Sequence, residues 1–163
     1  MAVATSFIQP RHKTLCFYGV PSTGQAGVTY RRMQKFTQLE QTKNPKEHTR
    51  KYVDEANERT DVVGYSPQIA YAFDKHNNQE VLADIIKITN NEYVGETAVR
   101  TLVWVDTATG EAVQRDYSVI PNSEGGDANV YTYSGTFKAT GEAVHGMASS
   151  TDNWQTITFT ENT

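Results

Sequence analysis

The stretch QIAYAFDKHNNQEVLADIIKITNN, residues 68–91, decides the fold class because its hydrophobic period changes once along its length. Over residues 68–74, Ile69, Tyr71 and Phe73 alternate with small or polar side chains. A period of two is typical of a strand with one buried face. The first part of the stretch is therefore predicted to be a half-buried β-strand.

The second part of the stretch has a helical period. Asn77 followed by Glu80 resembles a capping box, and Asn90-Asn91 is a stop signal. We predict one substantial helix over residues 78–89, lying with its apolar stripe on a sheet. The stripe consists of Val81, Leu82, Ile85 and Ile86.

The remainder of the chain predicts further strands and turns. Gly110 closes a hairpin loop after residues 107–109, and residues 121–129 read as a longer loop. The other strands are expected at residues 15–20, 33–41, 99–106, 111–120, 131–139, 143–148 and 154–160. Short strands with regular turns and one helix indicate a mainly β fold, an antiparallel β-sandwich or open barrel with one flanking α-helix.

Apolar positions on these strands give the candidate core. Trp154 is interpreted either as core or as an inter-subunit anchor, and the sequence does not choose between the two. The core candidates are Ile69, Tyr71, Phe73, Leu102, Trp104, Tyr131, Tyr133 and Phe137.

Length and composition indicate one domain spanning residues 1–163. The chain is 37% hydrophobic and 21% charged, which is ordinary globular composition. Cys16 is the only cysteine, so an internal disulfide framework is excluded, and its apolar surroundings predict an inert core thiol. No segment reaches the roughly 18 apolar residues of a membrane helix, so no membrane partner is expected.

Two segments are predicted to lie outside the core. Residues 1–12 form an N-terminal arm, and residues 42–61 form a long polar hairpin and loop. About 20 polar residues are more than a compact domain usually leaves without a role. The polar segment is either a solvated hairpin or an arm that orders against another subunit.

Charge is distributed unevenly along the chain. Residues 1–61 carry ten Lys and Arg against six Asp and Glu, and residues 62–163 carry five against thirteen. This asymmetry fits a nucleic-acid arm, and equally a basic half that docks on the acidic half of a neighbour.

Signatures of catalysis and of bound cofactors are missing from the sequence. The loop from Gly19 to Gly24 has the glycine spacing of a phosphate-binding loop, but Gln25-Ala26 stand where Lys and Ser or Thr are required. The four histidines and one cysteine lack zinc-site spacing, and no nucleophile elbow is present. We expect no enzyme, no cofactor and no metal.

Several stretches together resemble the major tail tube proteins of long-tailed, non-contractile bacteriophages. They are the runs at residues 51–55 and 60–74, which include Gly64-Tyr65-Ser66-Pro67, and the runs at 115–121, 131–136 and 151–154. The resemblance covers roughly residues 30–160.

This resemblance implies a structural virion protein that forms hexameric rings, stacked into a tail tube that delivers the genome. It implies a virion location after synthesis in the cytoplasm of a bacterial host, and no catalysis. The implied partners are further copies of the chain, a tape-measure protein, tail initiator and terminator proteins, and double-stranded DNA that passes without tight binding. A tube lumen with net negative charge is expected on this basis, because it would repel phosphates.

The polar segment matches the hairpin with which this family reaches the neighbouring ring. We therefore assign ring stacking to Lys46, Glu47, His48, Arg50 and Lys51. Two alternatives stay open: a tube protein of a phage-derived, bacteriocin-type tail-like particle, and a monomeric carbohydrate-binding or adhesive β-sandwich.

Overall fold

Eleven strands and one helix make up the part of the chain that the computed structural model describes, residues 6–21 and 27–162. Nine strands form one antiparallel sheet, and β4 and β5 form a separate hairpin. In chain order, the elements are β1 (Thr14–Pro21), β2 (Val28–Arg32), β3 (Phe36–Thr42), β4 (Pro45–Arg50), β5 (Arg59–Tyr65), β6 (Gln68–Asp74), α1 (Glu80–Asn91), β7 (Val99–Asp106), β8 (Glu111–Gly126), β9 (Tyr131–Ala139), β10 (Val144–Ser149) and β11 (Thr156–Glu161).

Six strands of the large sheet close into a ring. The strand order is β10-β11-β2-β1-β7-β8-β9-β6-β3, and β10 also pairs with the first part of β8. That extra pairing joins β8 back to β10 and closes the ring. Its interior is a small apolar cluster of Phe17, Val103, Val105, Ala112, Ala148 and Ile157.

Strands β1 and β7 are apolar on both faces because each face is covered. Phe17 and Val103 point into the ring, whereas Tyr18 and Leu102 lie in the second and larger cluster. All four of these side chains are fully buried. A continuous apolar run, rather than an alternating one, is what burial on both faces requires.

The larger cluster lies between helix α1 and a four-stranded extension made of the second half of β8, β9, β6 and β3. Two hydrogen bonds to Asp84 connect helix α1 to strands β1 and β7 of the sheet. Tyr18 Oη donates to Asp84 Oδ2 at 2.5 Å, and Arg100 Nε donates to the same oxygen at 2.8 Å. Burial, followed by the nearby Asp84 carboxylate, raises the pKa of Tyr18 well above its ordinary value, so the phenol remains a donor.

The predicted fold class is confirmed: the protein is mainly β and antiparallel, with one flanking helix. Strands β6 and β7 have the predicted bounds. Of the core candidates, Ile69, Tyr71, Phe73, Leu102, Tyr133 and Phe137 are buried.

The other two core candidates are not fully buried. Trp104 is only partly buried at the edge of the larger cluster. Tyr131 is 47% exposed, so its assignment to the core is wrong. It stands at the first position of β9, where its ring meets Tyr133 edge-on and its hydroxyl donates to Glu124 Oε2 at 3.3 Å. The period of a strand indicates on which face a residue lies. It does not indicate whether the other layer of the fold covers that part of the face.

The helix is shifted by two residues from its predicted bounds. Asn78 has a φ of 62°, a left-handed conformation that no α-helix contains, so the helix begins at Glu80. The residue before it, Gln79, makes no side-chain cap, and the predicted capping box is absent. At the other end Glu92 adopts a φ of 50° and terminates the helix.

Two strand predictions also differ from the structure. Lys35, at a φ of 68°, interrupts the strand predicted over residues 33–41 and separates β2 from β3. The loop predicted over residues 121–129 is mostly strand, because β8 continues to Gly126 and pairs with β9 around a bulge after Pro121.

Cys16 is buried, as expected for a core thiol. Burial raises the pKa of the Cys16 thiol far above its ordinary value, which removes the reactive thiolate. Of the predicted N-terminal arm, residues 6–12 are described and exposed, and residues 1–5 lie outside the described residues.

Candidate functional site

The β4–β5 hairpin stands apart from the main sheet on a short base. Asn44 Nδ2 donates to the Ser66 carbonyl at 3.1 Å, and the Ser66 amide donates back to the carbonyl oxygens of Lys43 and Asn44. Beyond this base every residue of β4 is exposed, as is every residue of β5 except Gly64. An isolated two-stranded hairpin is at best marginally stable in water. This hairpin therefore receives little stabilisation from the rest of the described chain.

Cross-strand pairing divides the hairpin into two chemically different faces. Directly opposite residues share a face in an antiparallel pair. One face carries the opposed pairs Lys46 and Gly64, His48 and Asp61, and Arg50 and Arg59. The other carries Pro45 and Tyr65, Glu47 and Val62, and Thr49 and Thr60, whose hydroxyl oxygens lie 3.1 Å apart.

Half of the paired residues on the second face are apolar or aromatic although the face is exposed. Val62 is 54% exposed and Tyr65 60% exposed, and a bulge adds Val63 as an extra, unpaired residue next to them. We call Pro45, Val62 and Tyr65 the apolar face of the hairpin. Exposed apolar side chains grouped on one face of an exposed element mark an interaction surface.

The residues assigned to ring stacking do not form one surface. Lys46, His48 and Arg50 lie on the first face of the hairpin, together with Asp61 and Arg59. Glu47 lies on the second face, opposite Val62, and Lys51 follows the end of β4 in the connection to β5. All five are exposed. Their role in stacking stays a prediction.

The four-stranded extension has one uncovered face and two outer edges. The uncovered face is the one opposite to helix α1, and it presents small and polar side chains such as Ala70, Ala72, Ser134 and Thr136. At one edge lies β3 and at the other the last residues of β8, which pair with β9 alone among the described residues. Arg11 Nη2 donates to the Leu39 carbonyl at 3.2 Å, which shows that this carbonyl points outward from the edge.

A groove of about 390 Å³ lies between the hairpin base and strands β7, β8 and β10. Tyr65 and Pro67 form its hairpin side, and Trp104, Val113 and Arg115 form its opposite side. Trp104 Nε1 and Arg115 Nε are buried and have no hydrogen-bond partner among the described residues.

Trp154 packs inside its own chain. Its ring lies 6.5 Å from that of Phe17, and it is partly buried against the cluster inside the six-stranded ring. Its φ of 62° follows another left-handed residue, Asn153, which is why β11 begins at Thr156 rather than at the predicted Trp154. Its use as an inter-subunit anchor stays a prediction.

The loop before β11 is held by Asp152, and this predicts an acid-sensitive element. Hydrogen bonds from the Thr156 hydroxyl and amide, and then from Ser150, lower the pKa of Asp152 from 3.8 to about 2. A depressed carboxyl pKa contributes stability that is present above the unfolded value and is lost as pH falls through the folded one. We expect the fluorescence of Trp154, in a Trp104→Phe background, to change with a midpoint near pH 2.

Asp152→Asn provides the control, since the amide does not titrate and the transition should disappear. A midpoint near the ordinary value of 3.8 would show that the loop does not hold the carboxylate in solution.

The residues that the structure describes, 6–21 and 27–162, contain no metal-binding cluster and no membrane-spanning helix. There, no three or more His, Cys, Asp and Glu side chains are grouped so as to hold a metal ion. Helix α1 is the sole α-helix of this part of the chain, and no helix there has the length and hydropathy to cross a membrane. Of the stretch from Gly19 to Gly24, residues 19–21 belong to strand β1 and residues 22–24 lie outside the described residues, and the next described element is β2 rather than a helix.

Comparison with known proteins relates the chain to others through its fold. No family model and no curated protein matches the sequence. Among solved structures, a chain from the tail of an empty GTA particle with C6 symmetry shares the fold with a TM-score of 0.62 and 13% identity, over 83% of this chain and 97% of that chain. A chain from the six-fold symmetrised baseplate of the anti-feeding prophage (AFP) gives a TM-score of 0.50 and 9% identity, over 86% of this chain and 97% of that chain.

Sequence reasoning missed the apolar face and the groove. The bulge at Val63 breaks the alternation from Thr60 to Tyr65, so no strand face was visible there. The alternation of Thr60 and Val62, followed by Tyr65 after one inserted residue, was the available signal. The groove is lined by strands that are far apart in the sequence, so no local sequence pattern indicates it.

Proposed function

We propose that this chain is a structural, non-catalytic virion protein that assembles into hexameric rings, and that the rings stack into the tail tube through which a bacteriophage delivers its genome. The observation that supports this proposal is the fold shared with a chain of a C6-symmetric tail, over 83% of this chain and 97% of that chain. The hairpin and the open sheet edges supply the contacts that such an assembly needs. Tape-measure, initiator and terminator proteins would be its partners in the tail.

Ring closure would use the two outer edges of the four-stranded extension. Edge strands expose unpaired amides and carbonyls that readily pair with another chain. Placing β3 of one subunit beside the end of β8 of the next would continue the sheet around a wide channel. The two edges differ, so the contact is head-to-tail, and a rotation that closes generates a ring.

A proline placed in β3 tests this ring contact. The Leu39 carbonyl points outward, so two residues on, the Gln41 amide also points away from β6. Gln41→Pro removes that amide and leaves the ladder to β6 in place. We expect the concentration needed for assembly to rise at least about tenfold, measured by mass photometry, which corresponds to about 1.4 kcal/mol.

The matched control is Gln41→Ala, which keeps the amide and loses the same side-chain bond to the Tyr117 hydroxyl. Thermal unfolding of both variants reports whether the fold survives. Equal assembly by two folded variants would rule out ring closure through β3.

In such a ring the uncovered face of the extension would line the channel. Its charged residues are Glu40, Asp74 and Lys138, two carboxylates against one ammonium group. A weakly negative lining of small polar side chains repels DNA phosphates and leaves them hydrated. We expect assembled tubes to retain little double-stranded DNA at low salt in a filter-binding assay, and Glu40→Lys to increase the retention.

Strong retention by wild-type tubes at low salt would contradict this lining.

The likeness to a chain of the AFP baseplate favours a second candidate of the same structural class, a tube protein of a phage-derived tail-like particle. The ring and hairpin contacts would be the same in both.

A further inference from the structure

The groove at the hairpin base is lined by two residues whose buried donors have no hydrogen-bond partner among the described residues. A buried donor without an acceptor destabilises a fold, because no hydrogen bond compensates its loss of hydration. Two such donors, Trp104 Nε1 and Arg115 Nε, belong to residues lining the same groove. The rest of its lining is largely apolar, with Val113, Pro67 and Ala143 among its residues. A ligand that fits must be apolar and must bring hydrogen-bond acceptors.

The charged residues that line the groove restrict the chemistry of a fitting ligand further. Lys43 and Arg115 both line the groove, and no Asp or Glu does. Arg115 is half-buried and Lys43 is exposed, and cations of this kind favour carboxylate acceptors, with which they form charge-assisted hydrogen bonds. The chemistry therefore points to a peptide segment that carries an apolar side chain next to a carboxylate.

The turn of the hairpin has this chemistry. Between β4 and β5, Tyr52-Val53 is followed directly by Asp54-Glu55. Val53 is fully exposed and Tyr52 is 43% exposed. The described part of the same chain leaves Val53 uncovered and covers Tyr52 only in part, and two neighbouring apolar side chains in water favour burial.

The turn cannot reach the groove of its own chain. Tyr65, at the base of the hairpin, lines the groove, and the last paired residues, Arg50 and Arg59, lie five positions further out. At about 3.4 Å per residue this places the turn about 17 Å from the base along extended strands. A second copy must supply the segment that fills the groove.

We propose that the hairpin turn of one subunit, residues 52–55, docks into the groove lined by Trp104, Val113, Arg115 and Ala143 of a second copy. Val53 fills the apolar part, and Asp54 or Glu55 pairs with the guanidinium group of Arg115 and the ammonium group of Lys43. The contact joins the hairpin turn of one copy to the groove at the hairpin base of another copy. It therefore repeats from one copy to the next and extends an assembly. This inference rests on the proposed function and adds to it the surface that receives the hairpin.

Photo-crosslinking in assembled protein tests the docking. A photoreactive p-benzoylphenylalanine in place of Val53 is expected to crosslink to peptides that contain Trp104, Arg115 or Ala143 of another chain, identified by mass spectrometry. The same photoreactive residue in place of Val94, which is also highly exposed but does not line the groove, is the matched control and should give no such product.

A charge variant gives a second measurement. Asp54→Asn with Glu55→Gln is expected to raise the assembly concentration about tenfold, while Glu92→Gln with Glu96→Gln, two exposed carboxylates elsewhere, leaves it unchanged. Tubes that form normally but crosslink position 53 only outside the groove would overturn the docking and leave the tube proposal intact. A folded chain that never assembles would overturn both.

Discussion

Replacing residues 46–64 by a two-residue Asn-Gly turn is expected to leave a folded protein that no longer stacks into tubes. Pro45 and Tyr65 are directly opposite in the ladder, so a tight turn can join them. The deletion removes no buried residue, and the base bonds around Ser66 remain. We expect the melting temperature to change little and the assembly concentration to rise by more than about a hundredfold, or about 2.7 kcal/mol.

Sedimentation velocity and negative-stain electron microscopy of the same samples measure this effect. Isolated rings without tubes would place the hairpin between rings rather than within them. Tubes of ordinary length from the shortened chain would contradict any role of the hairpin in stacking.

Two paired variants then separate the faces of the hairpin. Arg50→Glu with Lys51→Glu tests the residues that the sequence assigns to stacking, whereas Val62→Ser with Tyr65→Ser tests the apolar face. Burying apolar area stabilises an interface by about 25 cal/mol per Å², and exposed ion pairs contribute little. We expect the apolar pair of substitutions to have the larger effect on tube yield.

Phe137→Ala is expected to lower the free energy of unfolding by about 3–5 kcal/mol. Phe137 is fully buried, stacks on Tyr71 with ring centroids 4.6 Å apart, and lies 6.4 Å from Tyr18. Its removal leaves a cavity at the centre of the larger cluster that the surrounding rings cannot fill. Urea unfolding monitored by circular dichroism measures the change.

Tyr131→Ala is the matched control, because Tyr131 lies in the same strand and has a similar size. Its exposed ring should make the loss smaller than about 1 kcal/mol. Comparable losses at the two positions would mean that β9 is covered at its first residue as well, against the burial described above.

The strands that the sequence predicts correctly are those with a clear local hydrophobic period or apolar run. β6 and β7 have the predicted bounds because their apolar pattern reflects the layers that cover them. Most errors fall at left-handed residues such as Lys35 and Asn78. Asn adopts this conformation more often than most other non-glycine residues, but which particular Asn or Lys adopts it depends on the surrounding structure.

The rest of the fold depends on contacts distant in sequence. β8 continues past Ile120 because β9 pairs with it there, although residues 121–126 read as a loop. The same holds for the candidate site. Composition indicated that residues 42–61 form an exposed segment, but their division into two faces follows from pairing with β5 and from the bulge at Val63.

Cryo-electron microscopy of the purified 18.2 kDa chain over a concentration series tests the central claim most directly. The account predicts hollow tubes of stacked rings with six subunits each, a four-stranded extension lining the channel and a hairpin crossing to the next ring. A monodisperse monomer at every concentration, or an assembly without sixfold rings, would contradict it.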